Sequence, residues 1–427
     1  MSKQIDICNQ GLHSGREMNR TSSTMFDRPQ ADAAGQPDRL TLRILATTDL
    51  HMHVLGYDYF ANRPAPHLGL SRTAALISRA RDAVPNCLLF DNGDFLQGSP
   101  MGDYLAEASE AGNRRIHPAI AAMNALDYDA ATFGNHDFSY GLGFLRRTVE
   151  AAGFHYVASN LSVSKPLPSV PELILRRRFR DHCGQPQDLR IGVLGFLPPQ
   201  TVEWEPGLKA DARIEDILTA ARAGISRLRA AGSDLIVALS HSGIGALEPA
   251  PMMENASTAL AALPGIDVVI AGHTHRVFPA PDHPAGPGID TARGTLAGKP
   301  AVMAGFWGSH LGIIDLDLQR EAGGWRIAAA TSRAEPVSGT EDHRAVATPA
   351  LAAHRETLRH FRRRVGRTER PLSSYFTLIG NDPGLRLVAM AQRWHVRHAL
   401  RGTRWQGLPI LSAVAPFRAG GRGGPQH

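Results

Sequence analysis

The sequence predicts an α/β protein, because short apolar runs alternate with amphipathic stretches from residue 40 onward and nearly every run ends in a cluster of Asp, His or Asn. That alternation is what sheets covered by helices require. Residues 42–47, 87–90, 130–133, 191–196, 235–239 and 266–271 read as strands, and residues 71–83, 141–152 and 214–231 as helices. Ahead of them, residues 1–40 are polar and aperiodic and read as a disordered leader. A Pro/Gly-rich stretch at 278–300 reads as a surface loop, followed by a hairpin through 301–318 that closes a domain spanning 41–340. Residues 341–370 carry a basic helical pattern with Arg362, Arg363, Arg364, Arg367 and Arg370, expected as a solvated linker helix. After Pro371 a new apolar segment opens, read as the truncated start of a second α/β domain over 371–427.

Composition narrows the classes of function. With 43% hydrophobic and 20% charged residues, most of the chain buries a core. The formal charge of +6 favours anionic ligands without specifying nucleic acid. The Arg176, Arg177, Arg178 run lacks the interleaved aromatics of a nucleic-acid platform. Cys8, Cys87 and Cys183 are too scattered for a disulfide framework or a zinc-thiolate site. No apolar run approaches the ~18 residues of a membrane helix, and the first forty residues show no apolar core of a secretory signal.

The chemistry lies at the strand ends. Thr48-Asp49-Leu50-His51, Asn92-Gly93-Asp94, Gly134-Asn135-His136-Asp137, Ser240-His241-Ser242 and Gly272-His273-Thr274-His275 each follow an expected strand. Carboxyl ends of strands in α/β sheets form the ligand crevice, so these clusters converge. Asp, His and Asn are the ligands of divalent metals that keep exchangeable positions. There are enough for two ions, which at ~3.5–4 Å spacing can activate one hydroxide and neutralise a phosphoryl group.

In this order the motifs resemble the calcineurin-like metallophosphoesterases throughout residues 41–318. Residues 47–51, 93–100 and 134–138 are similar to the 5′-nucleotidase family. Asp58-Tyr59-Phe60 and the residues 412–417 look like its bacterial 2′,3′-cyclic-nucleotide 2′-phosphodiesterase/3′-nucleotidase branch. The resemblance and the strand-end clusters together imply a four-layer αββα sandwich, followed by the linker helix and the start of the second domain. The resemblance implies that Asp49, His51 and His275 hold one divalent ion, that Asn135, His241 and His273 hold another, and that Asp94 bridges them, with Zn, Mn, Fe, Co and Mg not distinguished. It assigns His136 to transition-state stabilisation or the leaving oxygen, with Asp137 beside it in the catalytic set. Ser139 stands where 5′-nucleotidases place the Asp that orients this His.

The implied activity is hydrolysis of 2′,3′-cyclic nucleotides to 3′-nucleotides and of these to nucleosides. The alternatives are a 5′-nucleotidase or nucleotide-sugar hydrolase on the same residues, or a metal-binding protein with little turnover, since the base-binding domain only begins in residues 374–376 through 415–418. The expected partner is a nucleotide, not nucleic acid or a membrane, and the expected state a monomer. The resemblance points to the periplasm, whereas the lack of a legible signal leaves the cytoplasm open.

Overall fold

The computed structural model describes residues 39–110, 116–338, 341–369, 371–372, 377–378, 380 and 382–415. Nearly all of the expected leader, Cys8, Arg370 and the signature residues 374–376 and 416–418 lie outside the described residues. The chain divides into two compact units, one to Leu358 and one from Arg359.

Strands here are apolar at consecutive positions because both of their faces are covered. In the strand Arg39–Thr47, Ile44 faces one core and Leu45 another. In Cys87–Asp91, Leu88 and Phe90 share the core of Ile44 while Leu89 joins that of Leu45. The same period of two sends Val193 and Val237 inward to Ile44's core and Leu194 and Ile236 outward to a third.

Two sheets result. One runs in the order Gly324–Pro336, His310–Glu321, Arg39–Thr47, Cys87–Asp91, Ala130–Ala131, His155–Val157, Ser169–Val170. It is antiparallel across the first pairings and parallel from Arg39–Thr47 onward. The other is built around Lys299–Ala304, Val268–Ala271, Leu235–Ser240 and Pro186–Phe196 in parallel, with Leu173–Arg180 antiparallel at its edge. Residues of both sheets form the central core, helices Leu70–Asp82, Pro118–Asn124 and Leu142–Val149 cover the first sheet, and Ile217–Ala230 and Ser257–Ala261 cover the second. This is the expected four-layer arrangement.

Local expectations agree with the structure for the strands and helices with clear periodicity and fail where the period is ambiguous. Residues 301–318 do not form a hairpin: Lys299–Ala304 belongs to one sheet and His310–Glu321 to the other, so the connection crosses between layers. The hairpin that closes the first sheet is His310–Glu321 with Gly324–Pro336. The expected loop at 278–300 contains two short paired strands, Ile289–Asp290 and Thr295–Leu296. Arg176, Arg177 and Arg178 lie on the edge strand Leu173–Arg180, where Arg177 pairs with Asp129 and Arg178 with Asp188.

The basic linker helix is shorter than expected. Leu351–Phe361 stops before Arg362, and Val346, Ala347, Ala350 and Ala353 are buried in the core of the first unit. Among the described residues of the second unit the regular element is Pro383–Ala399, capped by Asp382, whose side chain accepts from the N–H groups of Gly384 and Leu385. Leu411 in the apolar segment that follows is 94% exposed. Cys87 and Cys183 are free. No helix of the described residues is long and apolar enough to cross a membrane.

Candidate metal centre

Each expected ligand sits just beyond a strand end, on loops that interlock through backbone hydrogen bonds. Asp49 N–H donates to Gly93 O at 2.9 Å and His51 N–H to Asp94 O at 2.7 Å. Asp49, His51, Asp94, His273 and His275 all have positive φ, between 45° and 72°. A left-handed backbone costs a non-glycine residue about 1–3 kcal/mol, and its clustering here marks loops held in place by the surrounding structure. Two glycines are required by close approach: a Cβ at Gly134 would overlap Asp94 Oδ1, and one at Gly98, where φ is 129°, would overlap the His51 ring.

The side chains converge in two groups, Asp49 with His51 and His275, and Asp49 with Asp94 and His241. Asp49 Oδ1 lies 3.5 Å from His275 Nε2, 3.9 Å from His51 Nε2 and 4.0 Å from His241 Nε2. Asp94 Oδ2 lies 3.1 Å from His241 Nε2 and 3.8 Å from His51 Nε2, so both carboxylates stand between the histidines. His273 Nδ1 faces Asn135 Oδ1 at 3.0 Å, and His273 N–H donates to Asp49 Oδ2 at 3.1 Å.

The donor set fits divalent cations. Asp49 Oδ1 and His241 Nε2 are buried and have no aligned hydrogen-bond partner, a costly state unless something else binds them. Two atoms bound to one zinc at ~2.1 Å in a tetrahedral site lie ~3.4 Å apart, close to the separations around Asp49 Oδ1. His51 Nδ1 contacts Gln97 O at 2.5 Å and His241 Nδ1 contacts Asn92 O at 2.7 Å. Each ring thereby keeps its Nδ1 proton and turns its Nε2 lone pair inward, the tautomer a metal ligand needs.

The electrostatics agree. Burial opposes the charge of Asp94 most strongly, yet His241, His51 and His136 outweigh it and hold the carboxyl well below the usual range. Asp49 is lowered too, burial again being outweighed, here by His241 and His275. Burial pushes His51 and His273 down, toward the neutral form that coordinates metals. At His241 burial is overcome by Asp94 and Asp49, and the imidazole rises to about 10.

His136 is half-buried, edge-on to His51 with ring centroids 5.4 Å apart, and its backbone N–H donates to Asp94 Oδ1 at 2.7 Å. Asp137 does not join it. The Asp137 carboxylate is buried and accepts from the backbone N–H groups of Gly134, Asp94, Phe95 and Leu96 at 2.8–3.1 Å. Burial and the charge of Asp94 push it up to about 8, against those four donors. Asp137, expected beside His136 in the catalytic set, thus joins the Asp94 loop to the His136 turn through these backbone hydrogen bonds. Asp137→Ala is expected to cost at least about 3 kcal/mol in urea unfolding, because buried donors lose their acceptor. Asp137→Asn, which keeps one acceptor oxygen, should lose less.

Sequence reasoning missed the surrounding groups. Asn92 supplies the carbonyl for His241, and Thr48 Oγ1 donates to Asp49 Oδ2 at 2.5 Å. Glu254 Oε1 meets His273 Nε2 at 3.1 Å, Trp204 stacks on His273, and Phe306 stacks on His275. Asn92 and Thr48 stand inside the quoted motifs, where no role was assigned to them. Glu254, Trp204 and Phe306 carry no local signal.

A family model for calcineurin-like phosphoesterases matches residues 42–277. Over 403 residues the chain is 40% identical to a 2′,3′-cyclic-nucleotide 2′-phosphodiesterase/3′-nucleotidase of Yersinia enterocolitica, an alignment covering 91% of this chain and 61% of the relative. It is 38% identical to the trifunctional nucleotide phosphoesterase protein YfkN of Bacillus subtilis (strain 168), over 90% of this chain and 27% of that one. The chain thus spans less than two thirds of the length of these relatives. Among solved structures, calcineurin-like phosphoesterase YfkN from Bacillus subtilis matches with a TM-score of 0.72 at 37% identity, over 76% of this chain and all of the other.

Proposed function

The chain belongs to the calcineurin-like phosphoesterases, and from that premise we propose that it opens 2′,3′-cyclic nucleotides to 3′-nucleotides and then removes the 3′-phosphate. The observation that carries the reading is the convergence of Asp49, Asp94, His51, His241 and His275 around buried atoms that lack partners. The similarity over nine tenths of the chain to an enzyme named for both reactions supports the choice of substrate.

Asp49, His51 and His275 would hold one divalent ion and Asn135, His241 and His273 a second, with Asp94 between them. Bound there, divalent cations would make water a nucleophile near neutral pH and offset the charge of the phosphoryl oxygens. The protein's own part is positioning and proton transfer. Asp94 is locked by His136 N–H, and His51 and His241 are locked by backbone carbonyls. Water oxygen bonds to phosphorus and loses a proton, the P–O2′ bond breaks, and the His136 imidazole, beside His51, gives a proton to the departing ribose oxygen and regains one from solvent, so that the net transfer is from water to the ribose hydroxyl. The second step repeats this on the monoester, breaking P–O3′.

Purified protein with Mn²⁺ should hydrolyse 2′,3′-cyclic AMP and 3′-AMP faster than 5′-AMP. A preference for 5′-AMP would replace this reading with a 5′-nucleotidase. Stripping metal with a chelator should reduce turnover to background, and adding Mn²⁺ back should restore it. Activity that survives complete metal removal would refute the metal-based reading.

A further inference from the structure

Trp204 is set apart from the other aromatic residues at the centre by its exposure. It ends the short helix Thr201–Trp204, its indole lies against the His273 imidazole with centroids 5.4 Å apart and planes 15° apart, and the residue is 40% exposed. A tryptophan serving only to shield His273 would be covered on both faces. Here one face of the indole lies against His273 while two fifths of the residue is open to solvent. Trp204 N–H donates to Gln200 O at 3.1 Å, Gln200 Nε2 donates to Met252 O at 2.7 Å, and the adjoining Glu205 accepts from Ser139 Oγ at 2.7 Å. Ser139 closes the turn that carries His136, so one hydrogen bond ties the indole's support to the reacting end of the site.

We propose that the exposed face of Trp204 receives the nucleobase of the substrate, making it a specificity-determining residue supplied by the phosphoesterase unit itself. The proposal rests on the reading that the substrate is a nucleotide. Base and 2′/3′ phosphorus are joined through a single ribose, so a surface that reads the base must lie about one ring's width from the metal ligands, as Trp204 does. Stacking on a preset indole tolerates every base, because each has a π-face.

Trp204→Ala is expected to raise KM for 2′,3′-cyclic AMP roughly 10-fold while changing KM for a base-free substrate, glycerol 1,2-cyclic phosphate, by less than about twofold. Trp204→Phe should recover most of the loss. In chelator, where no turnover occurs, 3′-AMP should quench the tryptophan fluorescence of the native protein and not of Trp204→Phe. Equal rises in KM for both substrates, loss of bound metal in Trp204→Ala, or undiminished quenching in Trp204→Phe would each overturn the proposal. If the native protein hydrolyses no cyclic nucleotide, the activity reading fails by itself, and the chelated titration still decides whether Trp204 binds the base.

Discussion

Asp94→Asn is expected to reduce hydrolysis by on the order of 10³-fold or more and to lower bound metal, as withdrawal of the proposed bridging carboxylate should. The amide is isosteric, so its oxygen can still accept from His136 N–H, and the backbone of residue 94 keeps its bond to Asp137. What disappears is the negative charge that faces His241 at 3.1 Å and His51 at 3.8 Å. A neutral group cannot balance the charge of the proposed cations, and it also removes the largest of the carboxylate influences that raise the His241 imidazole. Metal analysis of the purified variant, with circular dichroism to verify the fold, separates these effects. Full occupancy with near-native turnover would show that the bridging charge resides elsewhere, with Asp49 Oδ1 as the next candidate because it borders both groups.

His136→Ala should do the reverse, sparing the metals and lowering kcat by ~10²- to 10⁴-fold, the usual worth of a positioned proton donor. The structure supports this separation because the contact that fixes Asp94 comes from the backbone N–H of His136, which alanine retains. A leaving group that needs no proton should feel the loss less, so bis-p-nitrophenyl phosphate should be impaired far less than 3′-AMP. Loss of one metal ion in this variant would place His136 among the ligands, and equal impairment of both substrates would remove it from proton transfer.

The sequence by itself determined the layers and the polar clusters at the strand ends. Consecutive apolar residues such as Ile44, Leu45 and Ala46 cannot all face one core, and the pleat assigns alternate residues to alternate sides. Polar residues placed directly after such runs have nowhere to go but the exposed ends of the sheet, which is why Asp49, Asp94, Asn135, His241 and His273 were legible. The tertiary structure alone decided matters that depend on long-range placement. Residues 301–318 have the pattern of a hairpin, but the choice between folding back and crossing to the other sheet is made by the partners Val268–Ala271 and Arg39–Thr47, distant in sequence. His136 and Asp137 are adjacent and both polar, and only the packing of the Gly134 turn on the Asp94 loop directs one toward the ligands and the other into four backbone amides. Trp204, at the end of a short helix, and Glu254 and Phe306, in loops, reach the centre from segments whose sequences show no motif, because a side chain's distance from a site is set by where its segment lies relative to the sheet, and periodicity does not encode strand order.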